Sequence, residues 1–167
     1  MTSGELTSER LVLRLIEPDD ADVLRTIRRS PWVSKWWGDG SDEPDWPFDD
    51  DDSTSYTIWR SDEVAGLIQH YEVSSPSVRY AGIDLFLSDS ASRQGLGQEA
   101  VQRVMRHLID DRGHHRIVID PSIENVRAIA TYTACGFEPV GVMREYEKNI
   151  DGSGWHDALF MEYVTQR

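Results

Sequence analysis

The run Arg116-Ile117-Val118-Ile119-Asp120 places three β-branched apolar residues in a row and then ends in an acid. A strand of this kind cannot turn one face to water, so it must lie inside a sheet covered on both sides. Helical patterns stand before and after it. Ahead of it Leu96, Ala100, Val104 and Leu108 recur every fourth residue, with Val101 and Met105 alongside, which marks one face of a helix. Arg112-Gly113 stops that helix. Behind the run a second helix is expected over about 126–135, with Gly136 placed as its left-handed cap.

Strand patterns fill most of the remainder. Residues 10–17, RLVLRLIE, alternate apolar and charged side chains as a half-buried strand does. Pro18 opens PDDADVLRTIRRS, a helix with acids in its first turn, arginines in its last and an apolar stripe of Val23, Leu24 and Ile27. SYTIWR, VAGLIQHYEV and VRYAGIDLFL follow as three strand-like runs separated by short polar turns, an antiparallel meander. Residues 137–148 and 155–164 form a last strand pair joined across Asp151-Gly152-Ser153-Gly154. The segment between the first helix and the meander, PWVSKWWGDGSDEPDWPFDDDDS, is rich in Pro, Gly and Asp and reads as a loop with at most a short helix. The predicted order β-α-loop-β-β-β-α-β-α-β-β is that of a mixed α/β fold, with no repeat or linker, and one domain is expected over 1–167.

Composition narrows the function classes. A formal net charge of −13 disfavours nucleic acids and anionic membranes as partners. No apolar run reaches membrane-spanning length, and the N-terminus lacks a signal-peptide core. With Cys135 as the one cysteine there is no disulfide framework, so a reducing cytoplasm is the expected setting. Cys135 itself, before the capping glycine, reads as a small buried residue. The five histidines form no ligand pattern with it, and no metal is expected. Much of the negative charge crowds into 39–52, beside Trp36, Trp37, Trp46 and Phe48. Such a run is either a solvated loop or, given its aromatic neighbours, an electrostatic funnel for a polycation.

Between the meander and the long helix lies Ser92-Arg93-Gln94-Gly95-Leu96-Gly97-Gln98. Glycines ahead of a helix let a phosphate approach backbone N–H groups and the positive end of the helix dipole. G-x-G by itself equally describes a plain turn. The spacing matches neither the P-loop nor the dinucleotide fingerprint. A second motif decides between these readings: residues 120–137, DPSIENVRAIATYTACGF, carry Asn125, Ala128, Tyr132 and Gly136-Phe137 in the pattern N-x2-A-x3-Y-x3-G-F.

Together these motifs resemble the GNAT superfamily of N-acetyltransferases, and the likeness in element order covers almost the whole chain. It implies a central, mostly antiparallel sheet splayed at the cofactor site and flanked by helices, with acetyl-CoA as co-substrate. On this likeness Phe86, Leu87, Arg93, Gln94, Gly95, Leu96, Gly97, Gln98, Asn125 and Tyr132 would contact the cofactor. Tyr132 would also be catalytic: facing the thioester sulfur, with a phenol expected near thiol acidity, it could donate the last proton to the departing thiolate or hydrogen-bond it. The loop departs from the family form [QR]-x-x-G-x-[GA] at its first position, where Ser92 stands; Arg93 is a candidate replacement. A narrower resemblance, to bacterial aminoglycoside 6'-N-acetyltransferases, rests on G-I-D-L-F-L, D-P-S-x-x-N and Trp-Trp-Gly. It implies Asp84 as base, Asp120 as ligand for a substrate ammonium and Trp36 or Trp37 packed on sugar rings. Glu72, Asp151 and Asp157 are further acidic candidates without a firm match. The partner implied is a cationic small-molecule amine, met by a monomer or homodimer.

Each assignment has a structural alternative. Asp84 could pair with an arginine or face outward, because alternation puts Ile83 and Leu85 on the other side of its strand. Tyr132 could be a core aromatic, Asp120 a turn residue, Asn125 a helix cap, and the two tryptophans loop anchors. Other amines, such as siderophores, lysine side chains or protein amino termini, fit the same chemistry, although a histidine commonly stands at the Asp84 position in the first two. A non-catalytic CoA-binding domain with an acidic interaction face is the alternative from another class.

Overall fold

The computed structural model describes residues 4–166. Eight strands form one sheet: β1 (Leu6–Thr7), β2 (Val12–Leu15), β3 (Ser53–Arg60), β4 (Glu63–Ser74), β5 (Arg79–Leu87), β6 (Arg116–Ile119), β7 (Glu138–Lys148) and β8 (Trp155–Val164). Their order across the sheet is β1-β2-β3-β4-β5-β6-β8-β7. Every neighbouring pair is antiparallel except β5 and β6. Four helices cover it: α1 (Ala21–Arg29), α2 (Pro31–Trp37), α3 (Leu96–Arg106) and α4 (Val126–Ala134).

Sheet alternation creates two apolar layers. On one face Leu13, Ile58, Ile68, Ile83 and Ile117 pack against Leu96, Ala100 and Val104 of α3, Leu108 of the π-helical turn 107–111 that continues it, and Tyr132 of α4. On the other, Leu67 and Phe86 meet Leu24 of α1, Val33 of α2 and Trp46. The helical repeat and the buried RIVI strand therefore do what their patterns require. Truncating a fully buried leucine such as Leu108 to alanine would cost about 2–5 kcal/mol in a core of this kind.

Two expectations need correction and a third is sharpened. The first long strand is shorter, Val12–Leu15, with the two-residue β1 ahead of it, because the chain turns through Ser8 and Leu11. The short helix allowed for in the long loop lies at its start, residues 31–37; Pro31 supplies a ready-made first-turn φ and Gly38 ends the helix at φ 68°. Val23 is exposed, and the inward stripe of α1 is Ala21, Leu24 and Arg28. Arg28 can sit there because Gly38 and Trp37 carbonyls and the Glu43 carboxylate accept its donors.

On the α3 face His70 lies between the rings of Tyr56 and His107, at centroid distances of 6.0 and 6.1 Å, and neither ring nitrogen has a partner. The nearest carboxylate, Glu72, is 4.0 Å away and engaged by His114 and Arg112. Burial, with His107, Arg112 and His114 adding to it, pushes the imidazole down from 6.5 to about 4 despite Glu72. Between those values the unfolded chain binds the proton that the folded chain refuses, so stability falls as pH drops from 6.5 toward 4. The expected loss is on the order of 3 kcal/mol. His70→Leu should flatten this limb of a melting-temperature profile measured from pH 8 to 4; an unchanged limb would assign the acid sensitivity elsewhere.

Candidate active site

The two parallel strands pair at only two positions, Ala81 with Ile117 and Gly82 with Val118. Past them β5 continues to Leu87 on β4 alone, while β6 follows β8 to Ile119. Backbone groups of Ile83–Leu87 that point away from β4 therefore meet no strand, a situation tolerated only beside solvent or a ligand. The gap opens into a cleft of about 1760 Å³ that runs from the glycine loop, past β5 and α4, to the tip of the β7–β8 hairpin.

At one end stands the glycine loop. Gly95 takes φ 74° as the residue that starts α3, and Arg93 takes φ 64°. Arg10 braces the loop from behind, held by Glu99 at 2.7 Å and donating to the Gln94 carbonyl at 2.9 Å. Arg93, Gly95, Gly97 and Gln98 line the cleft, as do Phe86, Leu87, Asn125 and Tyr132. Gln94 and Leu96 do not offer their side chains to it. Gln94 turns outward to Arg60 and the Ser90 carbonyl, and Leu96 is the first buried residue of the α3 stripe. Asn125 caps α4 by accepting from the Ala128 N–H at 3.2 Å while also facing the cleft. Cys135 is buried, its thiol pushed up to about 11 by that burial.

At the middle of the cleft, register places Gln69 of β4 directly opposite Asp84 of β5. No cation pairs with Asp84 among the described residues. Its enclosure, followed by the negative charges of Asp120 and Glu147, raises its carboxyl to about 7, against a smaller lowering by a hydrogen bond with Gln69. Such a group exchanges its proton near neutrality, as a base for an ammonium must. Tyr132 projects from α4 into the same space; burial, then Asp84 and other negative neighbours, drives its phenol far upward. It is therefore a standing hydrogen-bond donor, and the expectation of a phenol near thiol acidity does not hold. Asp120, just past the end of β6, acts on the Tyr146 hydroxyl and pushes it up to about 12.

Among the weaker acidic candidates, Asp151 and Asp157 line the cleft, and Glu72 does not. Glu72 is an odd number of residues from Gln69, so the pleat turns it to the α3 face, where His114 and Arg112 hold its carboxyl below the usual value. Gln69, Tyr146 and Glu147 escaped sequence reasoning. The latter two owe their placement to a register shift in β7 between Met143 and Glu147, across which Asp157 accepts the Glu145 N–H. No His, Cys, Asp and Glu group of three or more among the described residues is arranged for a metal.

Helix α2 forms the remaining wall. Trp36 faces the cleft, with Lys35 over its ring at 4.5 Å. Trp37 also reaches the cleft but packs edge-on to Phe86 at 5.0 Å, so it anchors the helix as well. The acidic stretch 39–52 stays outside this cleft. Its Glu43, Trp46, Asp49 and Asp50 border a smaller pocket of about 310 Å³, which shares Trp37 and Gln69 with the cleft wall. Arg25 and Arg28 tie the stretch to α1 through the Pro44 and Trp46 carbonyls and Glu43. Arg28→Met should lower stability by about 2 kcal/mol, less than for a fully buried pair because Glu43 can hydrate. It should also raise protease cleavage within 38–47; an unaltered cleavage pattern would show that Arg28 does not hold the loop.

Residues 10–138 match the family model described as an acetyltransferase (GNAT) domain. A curated relative, aminoglycoside N(6')-acetyltransferase type 1 of Klebsiella pneumoniae, is 26% identical over 159 residues, covering 82% of this chain and 78% of that protein. The solved structure of aminoglycoside acetyltransferase AAC(6')-Ib with coenzyme A and kanamycin superposes with a TM-score of 0.72 at 25% identity, covering 93% of this chain and 95% of that one. Spermidine N-acetyltransferase from Vibrio cholerae, solved with CoA and spermine, has a TM-score of 0.77 at 16% identity over 94% and 96% of the two chains, a likeness of fold. With the family model matching residues 10–138, most of its length, the chain belongs to the GNAT acetyltransferases.

Proposed function

We propose that the chain transfers the acetyl group of acetyl-CoA directly to a primary amine of a polycationic small molecule, the 6'-amine of an aminoglycoside being the best fit. The observation that carries this reading is Asp84, a carboxylate with no cationic partner at the mid-cleft, with Asp120 and Glu147 close enough to raise it. A cleft rich in unneutralised carboxylate favours a ligand with several ammonium groups. The relatives that act on aminoglycosides support the same class.

The residues present suit acetyl-CoA. The unpaired edge of β5 can meet the amides of its pantetheine, and the loop at Arg93–Gly97 can meet its phosphates. Acetyl-CoA supplies the acetyl group, whose carbonyl carbon gains a bond to the amine nitrogen as its bond to sulfur breaks. Asp84 accepts the proton that the ammonium must lose, directly or through water. Backbone N–H groups near Leu85 and Phe86 meet the charge developing on the acetyl oxygen. Tyr132 offers its hydroxyl hydrogen to the departing sulfur. Trp36 supplies an aromatic wall for a sugar or cationic face.

The direct test is thiol release from acetyl-CoA with kanamycin, a 6'-hydroxyl aminoglycoside, spermidine, lysine and a short peptide. Release with kanamycin and little with the 6'-hydroxyl analogue is expected. Release only with lysine or peptide would replace the substrate class, and none with any amine despite CoA binding would favour a non-catalytic role. Because the carboxylate is the active form, kcat/KM should rise with pH through about 7 and then level. An ammonium bound beside Asp84 lowers its proton affinity, so the same limb in kcat should lie at lower pH.

Asp84→Asn should reduce kcat by about 100-fold or more while CoA binding persists. The same change should stabilise the fold at pH 8 by about 2–4 kcal/mol, since a carboxyl held at about 7 makes the native state bind protons that the unfolded chain releases. Unchanged turnover in Asp84→Asn would remove it as base, and an unchanged melting temperature would show that its charge is not confined.

A further inference from the structure

Trp32, in the first turn of α2, lies under two guanidinium groups from the opposite side of the cleft. Arg127, second residue of α4, has its guanidinium carbon 4.5 Å from the indole centre, and Arg93 of the glycine loop stands at 5.6 Å. All three line the cleft. Neither guanidinium donates a hydrogen bond to another described residue; Arg93 has one distant ion pair, 3.7 Å from Asp89. Stacking uses the flat face of a guanidinium and leaves the N–H groups around its rim free. Two cations with unspent donors, held on one ring at the glycine-loop end of an acidic protein, are arranged for an anion with several oxygens. Asp84, at the mid-cleft, has no such cation beside it, and Glu147 has only the His156 ring, at 3.5 Å.

We propose that Trp32 is a positioning residue for the cofactor: it stacks Arg93 and Arg127 so that their N–H edges face the phosphates of CoA, with Arg127 a phosphate-binding residue of this chain. The assignment rests on acetyl-CoA being the co-substrate and is independent of which amine is acetylated. Without the indole, both side chains are long, exposed and free to rotate, and the ordering cost returns to the binding step. The helix carries the effect no further than cofactor affinity, because Trp37 at its other end is fixed on Phe86 and its carbonyl is held by Arg28.

The experiment measures binding of CoA by calorimetry and of pantetheine, which lacks phosphate, by NMR titration, for wild type, Trp32→Leu, Trp32→Tyr and Arg127→Ala. Thermal melts check that each variant folds. Trp32→Leu and Arg127→Ala should each weaken CoA about tenfold and leave pantetheine unchanged, and Trp32→Tyr, which keeps a stacking face, should stay within about threefold of wild type. With an amine substrate in hand, KM for acetyl-CoA should rise in Trp32→Leu at unchanged kcat. CoA held as tightly by Trp32→Leu as by wild type would overturn the proposal. So would an equal loss for pantetheine, or a tyrosine variant as weak as the leucine one. An inactive protein that still shows the CoA pattern would sink the amine reading alone.

Discussion

Two rungs of parallel pairing between β5 and β6 are the constraint on which the site depends. Had the ladder continued, Asp84–Leu87 would spend their outward backbone groups on a neighbour and no cleft would exist. The separation is enforced from both sides. β5 stays with β4 in unbroken register to Leu87, and β6 stays with β8 through Ile119. At the fork Ala81 and Ile117, with Ile83 just past the last rung, are sealed in the same core as α3. The sheet therefore splits at a fixed height, and three different elements deliver Asp84, Asp120 and Tyr132 to the opening. Close packing below the fork keeps these groups in place without the ligand.

Two carboxylates of the central strands show how position within one ladder sets chemistry. Glu72 and Asp84 belong to adjacent strands, but the pleat sends them to opposite faces. Glu72 meets His114 at 2.6 Å and Arg112 at 3.1 Å and is held ionised, a structural tie. Asp84 meets a neutral amide and two more acids, and its proton affinity rises instead. Burying a charge without a counter-ion is costly, and a chain selected for stability alone would not keep Asp84 there. The two large apolar layers make that cost tolerable, and a cationic ligand would supply the missing counter-charge.

Much of this was legible in the sequence, for identifiable reasons. The three-strand meander, the fourfold repeat of α3 and the buried β6 each have a period long or pure enough to dictate their structure. The glycine loop and the N-x2-A-x3-Y-x3-G-F pattern led to the cleft because both are local in the chain. Illegible parts depended on pairing across the chain. Whether Glu72 or Gln69 faces Asp84 is a matter of register, which sequence spacing does not carry. Tyr146 and Glu147 enter the cleft because β7 breaks its own alternation. Seven residues of α2 are too few for a period to show, and the burial of Arg28 depends on carbonyls of Trp37 and Gly38 that only the folded chain brings to it.

The charge of the molecule also divides by location. Most acids of 39–52 are exposed and lie outside the main cleft, with Arg25 and Arg28 fixing the loop at its base. Exposed charges at that distance are screened over about 10 Å at moderate salt, so they act on the approach of a cation more than on its bound state. Carboxylates inside the cleft would act in the reverse sense on a bound cation, at short range and in a lower dielectric. Two guanidinium groups, of Arg93 and Arg127, stand together beside Trp32 and the glycine loop. The cleft is thus electrostatically polarised along its length, cationic at the glycine loop and anionic at the hairpin tip. An anionic co-substrate and a cationic amine entering from opposite ends would each meet the sign that suits it, and their reactive groups would converge at Asp84.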